Sequence, residues 1–218
     1  MPTRYLVHDR YPQPHTIETI VQQLRQGSLM LYPTDTVYAI GCDLFSKSAV
    51  QRVRLLKQLH NTKPLTFLCA SLSGIATYAQ VSDMAYRLIR ALVPGPYTFI
   101  LPATKLVPKL VQNAKRKTTG IRVPDHPLCQ ALLQTLGHPL ISTSAHWGEH
   151  SPQGEINWDA PELSQLANQV EMVVEDGLPL GSQVSTVIDL TGAVPQVVRR
   201  GAGYDAVPDW VEEGVDYN

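Results

Sequence analysis

The sequence predicts an α/β fold in which helices pack on a mixed β-sheet, and three observations predict it. Apolar residues at helical spacing alternate along the chain with short apolar runs of strand length. The last third carries strands in succession, so the sheet cannot be wholly parallel. Hydrophobic residues make up 44% of the chain against 17% charged, enough to cover much of a sheet on both faces. A length of 218 residues suits one large domain over 1–218.

The elements follow in order. Ile17, Ile20, Val21 and Leu24 recur at i, i+3, i+4 and i+7 before Gly27, the pattern of an amphipathic helix with a glycine stop. Residues 28–32 read as a buried strand. Ser46 caps a second helix expected to run to about Leu59, and 65–70 reads as another strand. Ser82 begins a third helix, with Ala85, Leu88, Ile89 and Leu92 on one face, and Pro94-Gly95-Pro96 ends it. Strands over 97–101 and 120–123 precede a helix opened by Asp125 and Pro127 and stopped by Gly137. Residues 140–144 return to the sheet, and Asp159 with Pro161 opens a last helix. Strands near 172–174, 184–190 and 196–199 finish the pattern, and residues 201–218, rich in Gly, Pro and acid, read as a loosely held tail.

A formal charge of −1 excludes whole-molecule attraction to nucleic acid or an anionic membrane, so any basic site must be local. Lys57, Lys63, Lys105, Lys109, Lys115, Arg116, Lys117 and Arg122 crowd the middle of the chain, while acids crowd its end. Cys42, Cys69 and Cys129 are odd in number and set in apolar surroundings, which suggests core residues rather than disulfides or a thiolate metal site. The N-terminus lacks a basic segment followed by an apolar run, and no apolar stretch approaches membrane-spanning length. The expectation is a cytoplasmic protein with no membrane partner and no tightly bound metal, since the seven histidines show no metal-ligand spacing.

Polar residues at strand ends are the candidate chemistry. Tyr32-Pro33-Thr34-Asp35-Thr36-Val37-Tyr38 runs from a strand into hydroxyl-rich residues of the kind that line ligand crevices, or that simply build a hydrogen-bonded turn. Lys57 and Lys63 flank one connection and can hold a polyphosphate as point charges without a Walker-type glycine loop; Lys57 also suits a helix C-terminus. Arg122, among strand-forming residues, must either grip a carboxylate or phosphate or sit in a structural ion pair. On the first reading Arg122→Ala weakens anion binding and spares stability; on the second the reverse holds. Ser142, Thr143 and Ser144 cluster beside His146 without a nucleophile elbow, which favours anion binding over serine catalysis. Ser185 and Arg199 end two late strands.

Taken as an ordered set, the 32–38 segment, Lys57 with Lys63-Pro64-Leu65, Arg122-Val123-Pro124, Ser142-Thr143-Ser144, Ser185 to Asp189 and Val198-Arg199 resemble the YrdC/YciO family over about 12–205. Pro-Gly-Pro-Tyr-Thr-Phe at 94–99 and Lys115 to Thr118 resemble its YciO branch. The resemblance implies a twisted sheet with a large basic concave groove, and threonylcarbamoyl-AMP synthase-like chemistry that joins L-threonine, bicarbonate and ATP for tRNA modification. It implies ATP or AMP and L-threonine as ligands, Mg²⁺ arriving with ATP, and tRNA or double-stranded RNA as a macromolecular partner. It places Thr34, Thr36, Tyr38, Arg122, Ser142 and Ser185 on the threonine side, and Lys57, Lys63, Ser144, His146 and Arg199 on the nucleotide side.

Two positions depart from the family's synthases. Leu59 stands where a Lys-x-Arg pattern has arginine, and His146 stands where Ser-x-Asn has asparagine. Arg54, one helical turn before Lys57, is a candidate to compensate, and neutral His146 offers one donor and one acceptor. The alternatives are an altered synthase, or a protein that binds RNA or a nucleotide without turnover.

Overall fold

The structure, a computed structural model, describes residues 1–59, 65–146, 160–179 and 181–214. Among these, the strands are β1 (Thr3–Leu6), β2 (Met30–Tyr32), β3 (Ala39–Asp43), β4 (Thr66–Leu68), β5 (Tyr97–Pro102), β6 (Thr118–Arg122), β7 (Leu140–Ser144), β8 (Met172–Glu175), β9 (Thr186–Asp189), β10 (Gln196–Arg199) and β11 (Glu212–Glu213). They form one mixed sheet in the order β1-β8-β2-β3-β7-β4-β6-β5-β9-β10-β11. Its centre is antiparallel from β2 through β3 and β7 to β4, then β4 and β6 run parallel. The mixed α/β fold expected from the sequence is the fold observed.

Alternation along the strands sorts side chains between two cores. Leu31, Ile40, Cys42, Phe67, Ile121 and Ile141 face one core. There they meet buried residues of α2 (Lys47–Leu56), α3 (Leu72–Tyr78), α4 (Asp83–Leu92) and α6 (Ala160–Ala167). Met30, Tyr32, Ala39 and Leu68 face the other, beneath α1 (Pro14–Arg25) and α5 (Pro127–Leu136). Both of these helices begin on a proline, where the missing N–H costs no hydrogen bond. Each is followed by a glycine in the left-handed region, Gly27 at φ +92° and Gly137 at φ +80°. Two helices do not cover the whole second face. The part over β7, β4, β6, β5 and β9 stays open, and the cavity described below lies there.

Four local differences from the sequence reading have physical causes. β1, four residues with little burial, carries no apolar alternation and is held by parallel pairing to β8. The run after Tyr38, to which the sequence reading gave no strand, is the buried strand β3. Helix α2 stops at Leu56 rather than Leu59, because Gln58 adopts φ +50° and unwinds the chain, which turns Lys57, Gln58 and Leu59 toward the cavity. Residues 201–214 are not a loose tail: β11 pairs with β10, and Glu213 accepts from Arg200 at 2.9 Å and from the Tyr204 hydroxyl. Tyr97 adds a hydroxyl donation to the Gly203 carbonyl at 3.0 Å. Pro64 of the family-like Lys63-Pro64-Leu65 motif and the helix start expected at Asp159 lie outside the described residues.

No helix among the described residues is long and apolar enough to cross a membrane. All three cysteines are free and buried, and burial pushes their thiols up, Cys69 to about 12. A thiol reagent at neutral pH should therefore label none in the native protein and all three in denaturant; prompt labelling of native protein would contradict this packing. Ile20 is fully buried between α1 and the sheet, so Ile20→Ala should cost about 2–5 kcal/mol in urea unfolding.

Candidate functional site

A cavity of about 640 Å³ occupies the open part of the second sheet face. Its floor is built from alternate residues of neighbouring strands, among them Ala39, Ser142, Thr66, Gly120, Thr98 and Val187. Lys57, Arg122, Arg199 and His146 reach it from its margins, and no aspartate or glutamate lines it among the described residues. Hydroxyls and cations without a carboxylate make a site for an anion.

At one end the Thr34–Val37 turn meets β6. Arg122 donates from Nη2 to Asp35 Oδ1 at 2.5 Å and from Nη1 to Thr36 Oγ1 at 2.9 Å. Asp35 Oδ2 accepts the Asp125 backbone N–H at 3.1 Å, so this one carboxylate ties together the turn, β6 and the approach to α5. The Thr36 hydroxyl lies 3.0 Å from Thr34 Oγ1, which itself donates to the Val37 carbonyl at 2.7 Å. Protons along this chain run in one sense, from the guanidinium to a backbone carbonyl. Arg122 Nε is buried without a partner among the described residues, which leaves one charged donor unsatisfied beside the cavity.

At the other end Lys57, the residue that caps the C-terminus of α2, donates from Nζ to the His146 carbonyl. Arg199 donates from Nε and Nη2 to the Ser185 carbonyl at 3.2 and 2.8 Å, and from Nη2 to Ser185 Oγ at 3.2 Å. Ser185 Oγ in turn lies 2.9 Å from Thr98 Oγ1. These hydrogen bonds hold Lys57, Arg199, Ser185 and Thr98 in place beside the cavity.

A family model for Sua5, YciO and YrdC proteins, described as "Telomere recombination", matches residues 22–201. This chain belongs to that family. The uncharacterized protein YciO of Escherichia coli is 41% identical over 201 residues, covering 91% of this chain and 95% of that protein. Its crystal structure superposes with a TM-score of 0.85. A threonylcarbamoyl-AMP synthase of Vibrio vulnificus is 32% identical, over 85% of this chain and 98% of that protein. The crystal structure of P. abyssi Sua5 complexed with L-threonine matches at a TM-score of 0.82 and 25% identity, covering 97% of this chain and 62% of that one.

Within this Sua5/YciO/YrdC chain, Thr34, Thr36, Arg122, Ser142, Ser185, Lys57, Ser144, His146 and Arg199 all line the one cavity. Two expected residues do not. Tyr38 points to the opposite core, because Val37 and Ala39 on either side of it face the cavity, and burial pushes its phenol up. Arg54 turns away and donates from Nε and Nη2 to the Leu110 carbonyl at 3.0 and 2.6 Å, so it is not placed to compensate for Leu59. Lys63 lies outside the described residues. Leu59 and His146, the two departures from the synthase pattern, both line the cavity. Thr66, Thr98 and Asp35 are contributors that the sequence reading did not single out; a polar residue at an inward position of a buried strand was the available signal for the two threonines.

The two readings of Arg122 therefore coincide in one side chain that lines the cavity and is ion-paired, its side chain 8% and that of Asp35 10% exposed. Arg122→Ala strands a buried carboxylate, so against the first reading, in which stability is spared, urea unfolding should show a loss of about 3–5 kcal/mol. The double variant Asp35→Asn with Arg122→Ala should recover part of that loss. Equal instability of the two would contradict the pairing.

Proposed function

We propose that this chain is a threonylcarbamoyl-AMP synthase-like protein that holds L-threonine at the Arg122 end and an adenine nucleotide at the Lys57 and Arg199 end. The observation that carries the reading is that two separate sets of anion donors share one cavity without a carboxylate. The L-threonine complex of the P. abyssi relative supports the threonine half.

In the reaction, the amine of L-threonine forms a bond to the bicarbonate carbon as a C–O bond breaks and water leaves; an oxygen of the resulting carbamate then forms a bond to the α-phosphorus of ATP, while the bond to the β-phosphate oxygen breaks and pyrophosphate leaves. Arg122, through the Nε that has no partner among the described residues, and the Ser142 hydroxyl fix the amino acid by its carboxylate. Lys57 and Arg199 spread the charge that grows on the phosphates. Among the described residues the cavity lining offers no carboxylate, so these residues do not fit a resident metal; magnesium would come and go on the phosphates.

Leu59 and His146 weaken the nucleotide side. A charge-assisted contact contributes about 1.5–3 kcal/mol, so the two changes together lower the rate by on the order of 10²–10⁴, and Arg54 is turned away from the cavity. The expected outcome is slow release of pyrophosphate from ATP that requires both threonine and bicarbonate. Leu59→Arg with His146→Asn should accelerate it by about a hundredfold or more. Background release by both proteins under saturating substrates would overturn the synthase reading.

A second reading has its own support. Lys105, Lys109, Lys115, Arg116 and Lys117 are all exposed on the 103–117 connection, with no acidic residue from 103 to 124. This connection joins a residue of the cavity lining, since the Val111 carbonyl accepts the Leu65 N–H at 2.9 Å. RNA held here should dissociate steeply with rising salt, as phosphate contacts release counterions. A flat salt response of tRNA retention would dismiss it.

A further inference from the structure

Tyr32 ends β2 with no exposed surface, yet its hydroxyl reaches Ser142 Oγ on β7 at 2.9 Å, across the intervening strand β3. The reach depends on Gly41. This residue pairs directly with Ser142, and a Cβ on it would stand 2.7 Å from Tyr32 Cε1. The ring therefore lies in the space that any other residue at 41 would fill.

The direction of the bond follows from what surrounds each oxygen. The phenol has one proton, and Ser142 Oγ is its one acceptor among the described residues. Burial pushes Tyr32 well above its ordinary pKa, so the proton stays in place. Ser142 differs, because it lines the cavity and its own proton can turn toward a ligand or water. A serine that accepts from behind is committed to donate in front. Across the sheet Ser142 pairs with Thr66, and Thr66 with Gly120, two residues before Arg122 on β6, which sets this device within reach of the Arg122 end of the cavity.

We infer that Tyr32 is a positioning residue for ligand recognition: by donating to Ser142 Oγ across Gly41 it holds the Ser142 hydroxyl as a donor into the cavity. The inference rests on the proposed reading of that cavity. It assigns the Ser142 contact to an acceptor group such as a carboxylate oxygen, and it disfavours a ligand that presents a donor there. Tyr32 itself never touches the ligand.

The test is a double-mutant cycle read by calorimetry with L-threonine, and with AMP as the control for the opposite end. Tyr32→Phe keeps the ring over Gly41 and removes only the hydroxyl. Tyr32→Phe and Ser142→Ala should each weaken L-threonine binding by about threefold to tenfold and leave AMP within about twofold. The double variant should be no weaker than Ser142→Ala alone. Independent losses that multiply in the double variant, an equal loss for AMP, or unchanged threonine affinity in Tyr32→Phe would each overturn the inference. Neutron diffraction of the unliganded protein separates this outcome from failure of the functional reading. A deuteron on Tyr32 pointing to Ser142 Oγ, with the Ser142 deuteron turned to the cavity, supports the positioning role even if the wild type binds no threonine. A Ser142 deuteron on the phenol oxygen refutes it even if threonine binds.

Discussion

A buried guanidinium persists only where its charge is answered, and the answer to Arg122 is Asp35. That pair determines more than its own strength. Asp35 belongs to the turn that leaves β2, Arg122 to a strand four places further across the sheet, and Asp125, held by the same carboxylate, to the approach to α5. Joining them fixes where the turn sits over the open face, and so fixes the end wall of the cavity. The price is a carboxylate next to an anion site. It is kept out of the lining itself, so that the cavity presents hydroxyls and cations while the compensating charge stays behind them.

The rest of the site follows from alternation. In the central strands every second residue enters the core under α2, α3 and α4, and these positions are apolar almost without exception. The residues between them face α1 and α5 at one end, where they are apolar, and the cavity at the other, where they become Thr66, Thr98, Ser142 and Ser185. One sheet face thus passes from core to binding surface along its width. Glycine at 41 allows a buried side chain to work across a strand, an arrangement that a fully side-chained sheet face would exclude.

Much of this was legible beforehand. Helices α1, α4 and α5 carried the periodicity, the caps and the terminal prolines or glycines that the physics requires, and they form where expected. The strand-end hydroxyls and cations could be named because polar residues at such positions need a reason. What failed was whatever depended on a single backbone angle or on distant partners. The left-handed Gln58 ends α2 early, and no turn-forming residue announced it. Arg54 was assigned to the cavity by helical spacing from Lys57, but the carbonyl of Leu110, far along the chain, claims it. Tyr38 shares a motif with Thr36 but not a face. The two-residue β11 is held by Arg200 and Tyr204 meeting Glu213, contacts that no local pattern reveals.

The central claim is that the two donor clusters form one site that receives two ligand groups at once. A crystal structure of the protein with L-threonine and AMP tests it most directly. The account predicts the amino-acid carboxylate beside Arg122 and Ser142, and the phosphate beside Lys57 and Arg199, both ligands in the one cavity of the same molecule. Ligand found elsewhere on the molecule, with the cavity holding only water while Arg122 stays closed on Asp35, would contradict it.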